Sequence, residues 1–175
     1  ASDVYKRQDE DMENVVNTAI ETGYRAFDTA YFYGNEVALG KALQNSGVDR
    51  EDLFITSKLW NDYQGYDNTI EYFNQSLENL GLDYIDLFLI HWPCEKDGLY
   101  IESYKALEKL YDEGKVKAIG VCNFKQHHLE KLMEETEVVP QVNQIELHPY
   151  FNQEDVQEFC DNHDIKVTAW MPLMR

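Results

Sequence analysis

The chain has 175 residues, 43% of them hydrophobic and 27% charged, which is the composition of a globular protein with one sizeable core rather than of a disordered chain. Its 33 acidic and 15 basic residues give a formal net charge of -18, which argues against nucleic acid or an anionic membrane surface as a partner. The longest apolar run, LFLI before His91, is far too short to span a bilayer.

The cysteines and the first residues bear on location and domain limits. Cys94, Cys122 and Cys160 lie far apart without C-x-x-C spacing, and no secretory leader is recognisable. This pattern predicts reduced thiols and a cytoplasmic location. The opening segment ASDVYKRQ fits no periodic pattern, so we predict a tail or junction over residues 1–8 and a folded domain over residues 9–175.

Helix-like and strand-like segments alternate from residue 9 onward. The first helix is predicted in DMENVVNTAIETG, where apolar residues recur with a helical period and Gly23 stands at the natural stop. The predicted strands are, in order, RAFDTA, LFITSKLW, IDLFLIHW, KAIGVCNF, QVNQIEL and IKVTAW. The helices between them are a polar segment over residues 35–45, DNTIEYFNQSLENLG, IESYKALEKLYDEG, HHLEKLMEET and EDVQEFCDNH. Strand starts spaced roughly 24 to 32 residues apart are typical of right-handed βαβ units and a parallel sheet.

Two folds share this alternation, a doubly wound sheet and a (β/α)8 barrel. A doubly wound dinucleotide-binding sheet carries G-x-G-x-x-G after its first strand, and this sequence has no such glycine cluster. A barrel places polar residues at the carboxyl ends of several strands. Such residues are Asp28, Lys58, His91, Asn123, Gln144 and His148. The barrel is therefore favoured.

Taken singly, each of these polar residues is as well explained by a satisfied core position or a solvated loop. Asp28, Lys58 and His91 differ because they stand at equivalent ends of successive strands. A barrel brings such ends to one mouth, so we expect these three side chains to meet.

Five motifs resemble, in kind and order, those of the aldo-keto reductase family; they are GYRAFDTAYFYGNE, ITSKLW, LIHWP, GKVKAIGVCNF and VNQIELHPYF. The resemblance runs from about residue 9 to residue 175. It implies an α/β protein with an incomplete (β/α)8 TIM barrel of about six of the eight strands, the second through the seventh. The first strand, the seventh helix and the eighth unit would be missing, and with them the residues that choose NADP over NAD. The resemblance thus implies a reductase fragment that is weak or inactive.

The resemblance assigns carbonyl reduction to four residues. Tyr33 would be the general acid, and because a free phenol titrates near about 10 it needs help at neutral pH. Lys58 would stabilise the phenolate and lower that pKa, and Asp28 would keep Lys58 charged and oriented. His91 would donate a hydrogen bond to the carbonyl of a small aldehyde or ketone substrate.

The implied cofactor is NADPH, with NADH as the other possibility. Asn123 and Gln144 match the pair that bonds the nicotinamide carboxamide, and Trp170 matches the aromatic residue that stacks on its ring. The family commonly has serine where this chain has Cys122 and Met171, and neither replaces the hydroxyl fully. The implied cofactor-binding residues are Asp28, Cys122, Asn123, Gln144, Trp170, Met171 and Leu173.

The implied substrate-binding residues are Phe32, Trp60, His91, Trp92 and Phe124. Ordinary packing is the alternative for Trp60 and Trp92, and more so for Phe124. Tyr31 is most simply a packing residue.

No metal is expected. The adjacent His127 and His128 should point in different directions on a helix, and His148 and His163 have no acidic or sulfur partner at metal spacing. Two other functions stay open. One is a non-catalytic, nicotinamide-binding protein of the same fold with a redox-sensing or structural role. The other is a metal-dependent barrel lyase or hydrolase, which would need clustered histidine and carboxylate ligands.

Overall fold

The computed structural model describes residues 2–3, 9–95 and 98–174. In that part, parallel strands form one sheet whose strand order follows the chain order throughout. The strands are β1 (Ser2–Asp3), β2 (Ala26–Asp28), β3 (Phe54–Leu59), β4 (Ile85–Ile90), β5 (Val116–Cys122), β6 (Val142–Glu146) and β7 (Lys166–Trp170). The helices between them are α1 (Asp9–Glu21), α2 (Glu36–Asn45), α3 (Tyr66–Leu80), α4 (Tyr100–Asp112), α5 (Gln126–Glu135) and α6 (Glu154–Asn162).

A strand order that never reverses separates the two candidate folds. A doubly wound sheet reverses its order at a switch point, whereas a barrel adds each strand beside the previous one. Here each strand pairs with its successor, and within the described residues β1 and β7 end the sheet without pairing with each other. The prediction of an incomplete (β/α)8 barrel is confirmed.

One short strand lies where the sequence analysis expects a tail. Ser2 and Asp3 pair in parallel with Phe27 and Asp28 of β2, so these two residues are part of the sheet instead of lying outside the fold. The physical reason is that β2 would otherwise expose a row of unpaired N–H and C=O groups, which an extended segment can pair with. Residues 1 and 4–8 of the predicted tail lie outside the described part of the chain.

The strand β4 separates two apolar layers. Every residue of β4 is buried, and side chains alternate between the two faces of the sheet. Phe88 faces the helices, where its ring meets Phe73 of α3 edge to face at a centroid distance of 4.9 Å. Leu87 and Leu89 face the other way and pack with Cys122 in a smaller cluster inside the barrel.

The helices form the outer layer. The longest, α3, has 15 residues, and its contact with α2 is so close that a Cβ at Gly40 would lie 2.2 Å from the Leu80 carbonyl oxygen. Only glycine fits at that crossing. Within the described ranges, every helix is too short or too polar to cross a bilayer.

Candidate active site

The carboxyl edge of the sheet brings the predicted polar residues together. Asp28 ends β2, and Lys58 stands one residue before the end of β3. His91 directly follows β4, and Cys122 ends β5 in register with Gln144 of β6. Because neighbouring parallel strands end at one edge, residues far apart in sequence face one cavity.

That cavity has a volume of about 300 Å³ and is open to solvent. Most of the residues predicted for substrate and cofactor contacts line it. They are Phe32, Tyr33, Trp60, His91, Trp92, Cys122, Asn123, Gln144, Trp170 and Met171.

A buried ion pair lies behind the cavity wall. The Nζ of Lys58 is fully buried and donates hydrogen bonds to Asp28 Oδ1 and to the Thr29 carbonyl oxygen, the latter at 2.9 Å. The second carboxylate oxygen, Asp28 Oδ2, accepts a hydrogen bond from Gln144 Nε2 at 2.8 Å. A buried ammonium needs such partners, because its desolvation would otherwise cost several kcal/mol. The structure thus contains the predicted contact between Asp28 and Lys58.

Tyr33 lies between this ion pair and His91. It ends a short 3-10 turn, Tyr31–Tyr33, which closes on Gly34 with a φ of 66°. The Lys58 Nζ lies 5.5 Å from the centroid of the Tyr33 ring. Tyr33 also meets the His91 ring edge to face, with centroids 5.8 Å apart. A phenol, an ammonium and an imidazole therefore share one corner of the cavity.

Aromatic rings form the outer wall. Phe32 stacks on Trp60 with ring centroids 3.7 Å apart and an angle of 17° between the planes. Trp60 also meets His91 edge to face at 5.3 Å. Tyr31 turns away from the cavity and packs edge to face against Tyr63 and Tyr72, at centroid distances of 5.4 and 5.1 Å. The packing role predicted for Tyr31 agrees with these contacts, which anchor the turn that carries Tyr33.

His91 is held in its neutral form. Burial, and then the nearby Lys58 ammonium, lower the pKa of His91 to about 3 from an ordinary value of 6.5. Its side chain is only 8% exposed, and among the described residues its Nδ1 has no hydrogen-bond partner. A neutral imidazole carries one N–H, so His91 is suited to donate a single hydrogen bond into the cavity.

We expect this neutral histidine to make the fold sensitive to acid. Between its folded pKa of about 3 and the ordinary 6.5, the unfolded chain binds a proton at His91 that the folded chain does not. The free energy of unfolding should therefore fall as the pH drops below about 6.5. Urea unfolding at about pH 7.5 and about pH 5 measures this fall in the free energy of unfolding. The fall should be smaller in His91→Gln than in the unsubstituted chain. The exposed His163→Gln is the control, and an equal fall in all three chains would contradict the expectation.

Asn123 ties three strand ends together. Its φ of 65° is left-handed, a conformation that asparagine tolerates better than most residues. Asn123 Nδ2 donates to the His91 carbonyl oxygen at 3.0 Å and to Cys122 Sγ at 3.1 Å, and its Oδ1 accepts from Trp170 Nε1 at 2.8 Å. The ends of β4, β5 and β7 are thus cross-linked through one side chain.

Cys122 stands where the resemblance leads one to expect serine. Burial, together with the Asp28 carboxylate, raises the pKa of the Cys122 thiol to about 12, against an opposing effect of Lys58. It is therefore a thiol, which donates weakly to Gln144 Oε1 at 3.8 Å. Neutral Cys122 supports the orientation of Gln144 without adding charge to the cavity.

Four predicted site residues do not line the cavity; Asp28 and Lys58 form the ion pair behind its wall, and Phe124 and Leu173 lie elsewhere. Phe124 is 1% exposed and belongs to the main core, where its ring meets Tyr100 at 5.3 Å and His128 at 5.6 Å. The left-handed turn at Asn123 breaks the alternation of the strand, so the next side chain packs under α4 and α5 instead of lining the substrate wall. Leu173 is 92% exposed and does not line the cavity. Packing, which the sequence analysis left open for Phe124, is what the structure shows.

Two supporting residues were missed by sequence reasoning. The Thr29 carbonyl receives the Lys58 ammonium, and its hydroxyl donates to Asn35 Oδ1 at 2.6 Å. Gln64 is buried and donates from Nε2 to the Trp92 carbonyl oxygen at 2.7 Å. No local pattern identifies these residues, because their roles depend on partners from other strands and loops.

The reasoning against histidine clusters fails at two points. His127 and His128 both turn their Nε2 atoms to Glu95 Oε1, at 3.2 Å for His127 and in closer contact for His128. The adjacent rings lie with centroids 3.9 Å apart, and the three ligand atoms lie within 4.8 Å of one another. His148 also has an acidic neighbour, with its Nε2 3.2 Å from Glu146 Oε1.

The sheet order and the polar cavity at its carboxyl edge define a (β/α)8-barrel protein with its site at the usual mouth of that fold. The family model described as "Aldo/keto reductase family" matches residues 4–175. The chain belongs to this family, as the resemblance of its motifs predicts.

Three comparisons show how similar the chain is to known proteins. The chain is 52% identical over 171 residues to the 9,11-endoperoxide prostaglandin H2 reductase of Trypanosoma cruzi (strain CL Brener), covering 97% of this chain and 60% of that protein. It is 52% identical over 160 residues to the glyoxal reductase of Bacillus subtilis (strain 168), covering 91% and 57%. The crystal structure of a Gox0644 mutant in complex with NADPH superposes with a TM-score of 0.92 at 45% identity, covering 97% and 61%. The chain thus spans about 60% of the length of the curated relatives that it matches.

Proposed function

We propose that the whole protein reduces small aldehydes and ketones to alcohols with NADPH, using Tyr33 as the proton donor. The observation that carries this proposal is the position of Tyr33 between the buried Lys58–Asp28 ion pair and the neutral His91. Carbonyl reduction needs a proton donor and polarisation of the carbonyl oxygen at one point, and this corner of the cavity offers both.

The proton would come from the Tyr33 hydroxyl. As the carbonyl oxygen gains negative charge, the Tyr33 proton moves to it and leaves a phenolate, which the nearby Lys58 ammonium stabilises. Asp28 and the Thr29 carbonyl hold that ammonium in place. Lys58 and Asp28 therefore act on the reaction through Tyr33.

His91 would bind the same carbonyl oxygen. Because His91 is neutral, its N–H can donate a hydrogen bond without competing as an acid. Phe32, Trp60 and Trp92 line the remaining space with aromatic rings. An apolar, aromatic wall around two polar donors fits small carbonyl compounds, and the similarity to a glyoxal reductase supports that substrate class.

The cavity floor fits a nicotinamide. Gln144 and Asn123 present amide groups, and Trp170 lies beside them with its indole N–H held by Asn123. When bound, the nicotinamide supplies the hydride for the carbonyl carbon. Gln144, Asn123 and Trp170, with the neighbouring Cys122 and Met171, would orient the ring. The NADPH complex of a structure at 45% identity supports NADPH over NADH.

The proposal is tested by comparing the whole protein with the 175-residue chain. We expect the whole protein to oxidise NADPH in the presence of glyoxal or an aromatic aldehyde. The 175-residue chain should bind NADPH weakly or not at all, because it spans about 60% of the relatives' length and the resemblance places the residues that choose NADP over NAD outside it. Steady-state absorbance and quenching of the intrinsic fluorescence measure the two properties.

Each outcome of this comparison has a meaning. NADPH binding without turnover by the whole protein would favour the non-catalytic, nicotinamide-binding alternative. Quenching of the 175-residue chain at micromolar NADPH would contradict the expected weak binding.

A further inference from the structure

Glu95 joins two parts of the structure that are distant in sequence. It lies in the loop that leaves β4, four residues after His91, and its Oε1 meets the Nε2 atoms of His127 and His128 at the start of α5. We call these three residues the Glu95 clasp. His128 is 5% exposed at its side chain, whereas Glu95 is 64% exposed, so the clasp holds a surface carboxylate against a buried ring.

The hydrogen bonding of His128 indicates what the clasp is. The backbone N–H of Lys125 donates to His128 Nδ1 at 3.0 Å, so Nδ1 is an acceptor and the ring proton of neutral His128 is on Nε2. The Nε2–H therefore donates to Glu95. A metal at Nε2 would need the opposite tautomer and the loss of the Lys125 bond, so the chemistry favours a hydrogen-bonded clasp over a cation site.

The clasp lies midway along the loop between β4 and α4, and the beginning of that loop lines the cavity. The backbone N–H of His91 donates to the Leu59 carbonyl oxygen, and the Trp92 carbonyl oxygen accepts from Gln64 Nε2 at 2.7 Å. Between Trp92 and Glu95, Cys94 has a left-handed φ of 46°, which costs conformational energy in a residue with a Cβ. A loop in that conformation needs to be held close to Cys94, and Glu95 is the next residue.

We propose that Glu95 is a positioning residue: by accepting hydrogen bonds from His127 and His128, it holds the loop after β4 so that Trp92 stays on the wall of the cavity. Trp92 is 42% exposed, so its position depends largely on the backbone that carries it. A contribution of Trp92 to substrate binding rests on the proposed function, whereas its place on the cavity wall does not.

Fluorine NMR of the chain labelled with 5-fluorotryptophan tests the clasp without any reaction. The protein has three tryptophans, and Trp92→Phe identifies the signal of Trp92. We expect Glu95→Ala to shift or broaden the Trp92 signal and to leave that of Trp170 unchanged. Glu95→Gln, which keeps an acceptor oxygen, should restore the parent spectrum. An unchanged Trp92 signal in Glu95→Ala would overturn the proposal.

Two variants of His128 separate the clasp from the helix start. His128→Asn places an acceptor near the Lys125 N–H but cannot reach Glu95, whereas His128→Gln can donate to Glu95 but lacks the Nδ1 acceptor. If the clasp holds the loop, His128→Asn should shift the Trp92 signal and His128→Gln should leave it unchanged. The reverse result would assign His128 to helix capping alone.

Kinetics and metal binding complete the test. In the whole protein, Glu95→Ala should raise KM for the carbonyl substrate about fivefold with kcat within about twofold of the parent. If the parent shows no turnover, the proposed function fails, while the fluorine spectra still decide the clasp. Micromolar binding of Zn²⁺ that His127→Ala abolishes would show free Nε2 lone pairs and overturn the hydrogen-bond assignment.

Discussion

Replacing Tyr33 by phenylalanine is expected to lower kcat for carbonyl reduction by the whole protein about a thousandfold, because the substitution removes the hydroxyl that carries the transferable proton. The ring itself is kept, so its edge-to-face contact with His91 and its place beside Lys58 should survive. Binding of NADPH, followed by fluorescence titration, should therefore change little. The loss would lie in the chemical step rather than in binding.

The matched control for this variant is Tyr31→Phe, which loses the same hydroxyl two residues earlier in the same turn. The Tyr31 ring packs edge to face against both Tyr63 and Tyr72, away from the cavity, so Tyr31→Phe should keep near-parental kcat. If Tyr33→Phe still reduced aldehydes at the parental rate, Tyr33 would not be the proton donor. If both variants lost activity alike, the effect would belong to the turn and not to the Tyr33 hydroxyl.

Replacing Asp28 by alanine is expected to lower the free energy of unfolding by about 3 to 5 kcal/mol, since it leaves a buried charge without its counter-ion. The Lys58 side chain is completely buried, and the Thr29 carbonyl, which stays as an acceptor, carries no charge to offset the ammonium. Gln144 would also lose the acceptor for its Nε2. Urea unfolding at neutral pH measures the change.

An exposed ion pair provides the comparison. Lys105 Nζ and Glu102 Oε1 lie 2.9 Å apart on the surface of α4, with side chains 38% and 50% exposed. Glu102→Ala should cost about 0 to 1 kcal/mol, as exposed pairs do. The double variant Asp28→Ala with Lys58→Met should recover part of the stability, because no unpaired charge is then buried. Equal losses for Asp28→Ala and Glu102→Ala would show that burial of Lys58 does not govern the effect.

The sequence predicted the order of the elements and the residues at the strand ends with little error. Helical and extended periods are local properties of the chain, and a residue at the end of an apolar run lies at the end of a strand wherever that strand packs. Asp28, Lys58 and His91 were therefore identifiable from the sequence, and so was their meeting beside Tyr33. The position of Phe124 was not, because the left-handed turn at Asn123 changes which face it occupies.

What the sequence by itself determined was the alternation of helices and strands, the barrel class and the set of polar strand ends, because all of these follow from short-range patterns. Only the tertiary structure decided which residues of different elements bond to one another. Gln144 bonds to Asp28 across 116 residues, and His128 turns to Glu95 across 33. The pairing of Ser2 and Asp3 with β2 is of the same kind. Such contacts depend on how whole elements pack, and no periodicity within one element contains that information.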